Sequence, residues 1–398
     1  MFAVLSPTRK VLSRLITVFS VLFSFLWLAA CQPVAMTGGA GGGQAIDPST
    51  AIPVALLVPH GSSNANEAAL ARDLENAARM AVADLQGVKI DLRVYGTAGQ
   101  AGQARQAALN AVSDGAKIIV GPLHAESANA VAVAVAGKNV NVLAFSNNAT
   151  IAGGNLFVLG HTFENTARRL TRFAARNGKK RILTVYSNNL AGNLGNEAIQ
   201  SASAGSGTTI IGSIGYDFSK EGVVAAVPSI AATARQNNAD AIFLTANTAG
   251  ALPLFSQMLP EGGLSPADIQ YIGLSRWDKP PQTMDLPGVQ GGWFAMPDPQ
   301  KTMRFQSRFQ TAYGAAPHAI AGLAYDGVAA IGALARSGRS DALSRASLTQ
   351  NAGFQGVDGV FRLRPDGTNE RGLAVATIRD RKLVILDPAP QGFGGAGF

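Results

Sequence analysis

Apolar and polar residues alternate in blocks along most of this chain, and the block from Ile118 to Thr150 shows the rule most plainly. It reads IIVGPLHAESANAVAVAVAGKNVNVLAFSNNAT: a short apolar run, a Gly-Pro break, an alanine-rich run of helical period, a glycine, a second apolar run and a polar turn. The pattern predicts strand Ile118 to Val120, a helix opening at residues 126 to 128 and stopped by Gly137, and strand Val140 to Phe145, which is one β-α-β unit. Upstream, Ile52 onward (IPVALLVP) predicts a buried strand. A helix over about Asn66 to Gln86 follows, with Leu70, Leu74, Ala77, Ala81 and Leu85 on one face, then strand Lys89 to Tyr95 and a helix over residues 100 to 113. Strict alternation of this kind predicts a parallel, doubly wound sheet.

The alternation restarts after a helix capped by Thr162 and running to Arg176. Strands are expected over Arg181 to Tyr186, Thr208 to Gly215, Ala239 to Ala246 and Ile269 to Ser275. The helices between them are expected near Asn193 to Ala204, Lys220 to Gln236 and Ala249 to Leu259. The fold class is therefore α/β, with two doubly wound parallel-sheet lobes. Asn155 to Gly160 and the proline-broken stretch from Gly291 read as segments crossing between lobes. Residues 301 to 336 read as two helices, and the stretch with a turn at Pro365-Asp366-Gly367 reads as a hairpin able to finish a sheet edge. The glycine-rich tail over 387–398 is expected to be disordered.

In open parallel sheets ligands sit beyond the carboxyl ends of the strands. That rule singles out His60, then His124, Glu126 and Ser127 after the first strand of the central unit, and Ser146 to Thr150 after the second. In the second lobe it singles out Tyr186, Asn247, Trp277 and Asp278. Each has a plainer role open to it: Ser127 as a helix cap, Asn147-Asn148 as turn formers, and Trp277 and Tyr186 packed at the lobe surface rather than stacked on a ligand. His60, His124 and His161 fall on one predicted side and could hold a metal or an anion, or simply line a polar cleft. No HExxH spacing supports a metal, and no GxSxG elbow, Walker A lysine motif or CxxC is present. GFGGAG over 392–397 fits a dinucleotide spacing but precedes no helix. A non-enzymatic protein without cofactor is expected.

Length and charge change this picture little. A chain of 398 residues with 47% hydrophobic and 15% charged residues fits two buried cores. The formal charge is +8, but Arg9, Lys10 and Arg14 precede any acid, and without them 30 basic residues face 25 acidic ones. No basic cluster with interleaved aromatics exists, which argues against a nucleic-acid partner.

The amino terminus adds a location. A basic start, an apolar run from Leu15 to Leu28 and then Leu28-Ala29-Ala30-Cys31 form a signal peptide over 1–30. LAAC resembles the lipobox of bacterial lipoproteins, which implies lipidation of Cys31, the only cysteine. An uncleaved signal anchor is the alternative, though the run is short for a spanning helix. Gln32 after the cysteine implies, by the same resemblance, the outer membrane. Residues 31–51 (with TGGAGGGQ) then form a tether, and the protein is a cell-envelope lipoprotein facing the periplasm.

Several motifs in order carry a wider resemblance: the VGP turn at Val120 to Pro122 with a serine-bearing helix start, AFSNNAT, FENTARRLTRFA, FQSRFQTAYGAAPHAIAGLAYDGVAAI and GVDGVFRLRPDG. From about residue 52 to 386 the chain resembles the type I periplasmic binding proteins. It is most similar to the leucine-binding-protein family and its relatives, the lipoproteins known as penicillin-binding-protein activators. The resemblance implies three crossing segments joining lobe 1 (52–160 with 297–340) to lobe 2 (161–296 with 341–386), closing on a small ligand such as an amino acid or peptide. It implies that Ser127 and Thr150 hold an α-carboxylate; Asp278 is the nearest candidate for the α-ammonium group. Where the family turn is usually Ser-Pro, Asn147 and Asn148 follow Ser146 here. Two roles follow: the substrate-binding component of an amino-acid-type ABC transporter with a permease partner, or an outer-membrane activator of a peptidoglycan synthase.

Overall fold

The computed structural model describes residues 42–394, so the signal peptide, Cys31 and most of the tether lie outside the described residues, as does the end of GFGGAG. Two large sheets organise the rest. The first is fully parallel, in the order β2-β1-β3-β4-β5: β1 is Ile52–Val58, β2 Ile90–Gly96, β3 Ile118–Val120, β4 Asn141–Ala144 and β5 Leu156–Val158. Helices α1 (Ala65–Asp84), α2 (Ala101–Ser113) and α3 (Ala125–Val135) connect them. The run IPVALLV is buried at every position but Pro53, as a central strand covered on both faces requires.

The next helix, α4 (Phe163–Arg176), leads into the second sheet. Its strands are β6 (Arg181–Ser187), β7 (Thr209–Tyr216), β8 (Ala241–Leu244), β9 (Gln270–Gly273) and β10 (Trp293–Met296), with helices α5 (Leu190–Ser203), α6 (Lys220–Gln236) and α7 (Leu252–Glu261) between them. After α8 (Pro299–Tyr313), α9 (Gly322–Ala335) and the short α10 (Arg345–Leu348), the chain makes an antiparallel sheet of β11 (Phe354–Gly356), β12 (Gly359–Leu363) and β13 (Asn369–Arg371). Strands β14 (Ala374–Arg379) and β15 (Lys382–Asp387) then return to the second sheet, whose order is β15-β14-β10-β9-β8-β6-β7, with β14 and β15 antiparallel at its edge.

Each sheet is packed on both faces. The first carries Leu70 and Leu74 of α1 and Val328 and Ile331 of α9 on one face, and the alanines and valines of α2 and α3 on the other. The second carries Ile230 and Phe255 of α6 and α7 on one face, and Leu170 and Ile199 of α4 and α5 on the other.

Several expectations need correcting. Leu156 to Val158 is not a crossing but the fifth strand, because all three side chains are buried and the triplet pairs with β4. Likewise the stretch after Gly291 first contributes β10, paired between β9 and β14, before Pro297 takes the chain out. Within 341–371, expected with lobe 2, Leu343, Leu348, Phe354, Phe361 and Leu363 are buried in the core of the first sheet. The end of the expected tether is packed as well: Ile46 is 5% exposed and its N–H donates to the Ser340 carbonyl at 2.9 Å. Beyond Asp387, Ala389 is buried and the Phe393 ring lies 4.5 Å from the Arg362 guanidinium.

Three crossings link the lobes, at residues 159–162, 297–298 and 372–373, and buried polar groups lace them together. The Asn369 amide donates to the Val158 and Gly160 carbonyls at 2.7 and 2.8 Å, and accepts from the Asn165 amide at 2.7 Å. Arg371 donates to the Leu159 carbonyl through Nε at 3.1 Å and Nη2 at 2.6 Å, and Nη1 lies 3.3 Å from Asp326. The Asp298 N–H donates to the Asp358 carbonyl at 2.9 Å.

Candidate ligand-binding cleft

Where strands β3 and β4 end, their turns and the first helix open a pocket of about 560 Å³. Its walls include Glu67 and Leu70 of α1, His124, Ser146, Asn147 and Asn148, with Gly160 and His161 of the first crossing. Two glycines let these turns approach. Gly121 sits at φ +93°, where a side chain would run into the Leu57 carbonyl, and a Cβ at Gly160 would strike the Ser146 carbonyl. The Ser146 hydroxyl accepts the Asn148 N–H at 3.1 Å, which shapes the AFSNNAT turn.

A second pocket of about 230 Å³ adjoins the crossings from the other lobe, and the two share His161 and Ile320. Its polar lining is Arg276 and Lys279 from the turn after β9, Thr166 of α4, Thr302 and Gln306 of α8, and Asp358; its apolar lining includes Leu274, Met296 and Leu373. Arg276 is held by Asp278, with Nε donating to Oδ1 at 2.9 Å and Nη2 to Oδ2.

His124 and His161 line the same pocket and His60 does not. His60 pairs with Glu75 at 2.8 Å, His124 with Glu67 at 3.2 Å and His161 with Asp358 at 3.3 Å, each with its own carboxylate. Among the described residues no group of three His, Cys, Asp or Glu side chains is placed to hold a metal. Burial, and then the charge of Arg371, lowers the His161 pKa, so the ring is neutral at pH 7. Burial works to raise the Asp358 carboxyl, but the hydrogen bond from His161 and the charge of Arg371 outweigh it and hold it below the usual range. Asp326 behaves oppositely: burial, reinforced by the Asp358 charge, pushes it up to about 6 despite Arg371.

Of the residues singled out from sequence, His124 and Ser146 line the first pocket. Ser127 is 1% exposed and its hydroxyl has no partner among the described residues, while Thr150 is exposed, with its hydroxyl donating to Asn148 Oδ1 at 2.8 Å; neither is in the lining of these two pockets. Glu126 and Asn247 are exposed, and Tyr186 is half-buried at the end of β6. Trp277 packs rather than stacks on a ligand: it is fully buried, 6.3 Å from the Phe294 ring and against Gly273 and Gly292, where only glycines leave it room. Asp278 is 8% exposed and committed to Arg276. Sequence reasoning passed over Arg276 and Lys279 although they sit in the same turn. It also passed over Thr302 and Gln306, whose four-residue spacing marks one stripe of a helix.

Two α/β lobes joined by laced crossings, with pockets at the strand ends meeting at one crossing, are the architecture of a two-lobed small-molecule receptor. The sequence profile described as periplasmic binding protein matches residues 51–382, and the chain belongs to that family. No curated protein matches the chain. Similar solved structures include a branched-chain amino acid ABC transporter periplasmic ligand-binding protein from Burkholderia xenovorans, at 19% identity and TM-score 0.64, covering 86% of this chain and 97% of that one. An ABC transporter substrate-binding protein from Desulfitobacterium hafniense in complex with Leu has 19% identity and TM-score 0.60, covering 85% of this chain and 100% of that one. A solute-binding protein of an ABC transporter from R. palustris in complex with benzoate has 17% identity and TM-score 0.53, covering 87% of this chain and 98% of that one.

Proposed function

We propose that this protein captures a small solute between its lobes as the substrate-binding component of an ABC importer, held at the periplasmic face of the cell envelope by a lipid on Cys31. The reading rests on the two pockets that meet at His161 and Ile320, one built from each lobe's strand ends. Family membership and the ABC-transporter relatives support it. The LAAC sequence supports the lipid; Gln32 after it supports an outer-membrane address, which favours the synthase-activating role, whereas an importer needs an anchor close to the inner membrane or release into the periplasm. Ligand would draw the lobes together about the crossings and present a closed form to the permease.

The test is a thermal-shift screen of the full chain in detergent against amino acids, short peptides, simple organic acids and peptidoglycan fragments. A solute at 100 times its dissociation constant stabilises by about 2.7 kcal/mol, a shift of a few degrees. A shift with no member of the screen refutes solute capture and favours the synthase-activating role, which recovery of a transpeptidase by in vivo cross-linking would then support. Membrane fractionation of the acylated protein tests the address; recovery with the inner membrane refutes the outer-membrane assignment.

A further inference from the structure

The cleft can be sorted by the hydrogen-bonding capacity that the protein leaves unspent. Two carboxylates line it. Glu67 meets His124 through Oε1 at 3.2 Å and accepts from the Ser62 hydroxyl through Oε2 at 2.8 Å. Asp358 meets His161 through Oδ2 at 3.3 Å and accepts from the Thr302 hydroxyl through Oδ1 at 3.0 Å. All four oxygens are engaged, and Asp278, the remaining acid of the region, is bidentate on Arg276. An ammonium group entering here would lose its water and meet only carboxylates whose two oxygens each already have a protein partner.

Donors are left over instead. Among the described residues the exposed Lys279 ammonium has no hydrogen bond or ion pair, and Arg276 keeps Nη1 without a partner once Asp278 has taken Nε and Nη2. Arg276 and Lys279 carry two positive charges against the carboxylates of Asp278 and Asp358, so the region has no surplus charge for a dianion, and Lys279 is left as the one cation to meet a single carboxylate. The wall beside them is apolar, through Leu274, Met296, Ile320 and Leu373, and the space of about 230 Å³ fits a short hydrocarbon acid.

We infer that the solute is a small monocarboxylate without an ammonium group, its carboxylate taken by Lys279 and Arg276 and its hydrocarbon part by Leu274, Met296 and Leu373. This rests on the solute-capture reading and names its ligand class. Arg276 is orientated by Asp278 for a charge-assisted contact, and Lys279 supplies the point charge.

Three probes of one carbon skeleton separate the possibilities in isothermal titration of the full chain: 4-methylpentanoate, which has the carboxylate alone; leucine, which has both groups; and 3-methylbutylamine, which has the ammonium alone. The acid is expected to bind at least tenfold more tightly than leucine, and the amine not to bind. Lys279→Met is expected to weaken the acid by about tenfold or more, with an unchanged melting curve because the position is exposed. Arg276→Gln would strand Asp278 in the protein and so is not the deciding variant. Leucine binding as tightly as the acid, or a Lys279→Met variant of unchanged affinity, overturns the inference while leaving solute capture standing. Heat from none of the three overturns it too, and solute capture falls with it only if the broad thermal screen is also silent.

Discussion

Asp326 gives a sharp test of what dominates the buried polar cluster at the crossings. The carboxyl is fully buried on α9. Oδ1 accepts the Val357 N–H at 2.8 Å, Oδ2 lies 3.3 Å from Arg371 Nη1, and the charges of Arg371 and Asp358 face it. If desolvation wins over the arginine, its pKa lies at about 6 in the folded protein against 3.8 for the free side chain. That distance corresponds to about 3 kcal/mol, by which ionisation at pH 7 lowers stability. The sign follows from proton binding: a carboxyl with a raised folded pKa lends stability that is fully present below 3.8 and lost as the pH rises through about 6. Asp326→Asn removes that titration. Urea unfolding of both proteins at pH 7, 6, 5 and 4.5 should therefore show the native protein gaining about 2 kcal/mol on the variant as the pH falls. Asp358, held below the usual range, does not titrate in this window, and the other acids cancel between the two proteins. A difference that is flat with pH, or one in which the native protein loses ground as the pH falls, refutes the reasoning and means that Arg371 compensates the carboxylate in full.

Further outcomes follow from single positions. Gly121→Ala should cost about 3 kcal/mol in urea unfolding, because φ is +93° and the new Cβ meets the Leu57 carbonyl. Trp277→Ala should cost about 3–5 kcal/mol by the same assay, since it empties a fully buried site; a loss under about 1 kcal/mol would place the ring at the surface. Ser127→Ala should leave stability unchanged or raise it by about 1 kcal/mol, because it removes a buried hydroxyl that has no partner. Thr150→Ala should leave solute affinity within about twofold by titration, its hydroxyl being spent on Asn148.

Most of the fold was legible because each central strand is an unbroken apolar run and each helix keeps a 3.6-residue stripe, as IPVALLV and the Leu70, Leu74, Ala77 face illustrate. What escaped were strands of three or four residues between glycines and prolines. LFV and WFAM look like linkers on their own, and only neighbouring strands supply the burial that makes them β5 and β10. The site was legible as a place, since strand ends do line both pockets, but not residue by residue. In the turn after β9 an aromatic ring and an acid drew attention, yet the backbone sends Trp277 into the core and gives Asp278 to Arg276, leaving the two cations toward the cleft. Period and charge do not reveal which of several adjacent polar side chains is already satisfied by a partner far along the chain, as His161 is by Asp358, 197 residues away.

The lacing of the crossings has a mechanical consequence. Asn369 and Arg371 fasten the last link to the first, and the Asp298 N–H fastens the middle one to Asp358, so the three links cannot twist independently. They form one axle rather than three wires. A joint ordered by these bonds before solute arrives leaves little further ordering to oppose the approach of the lobes.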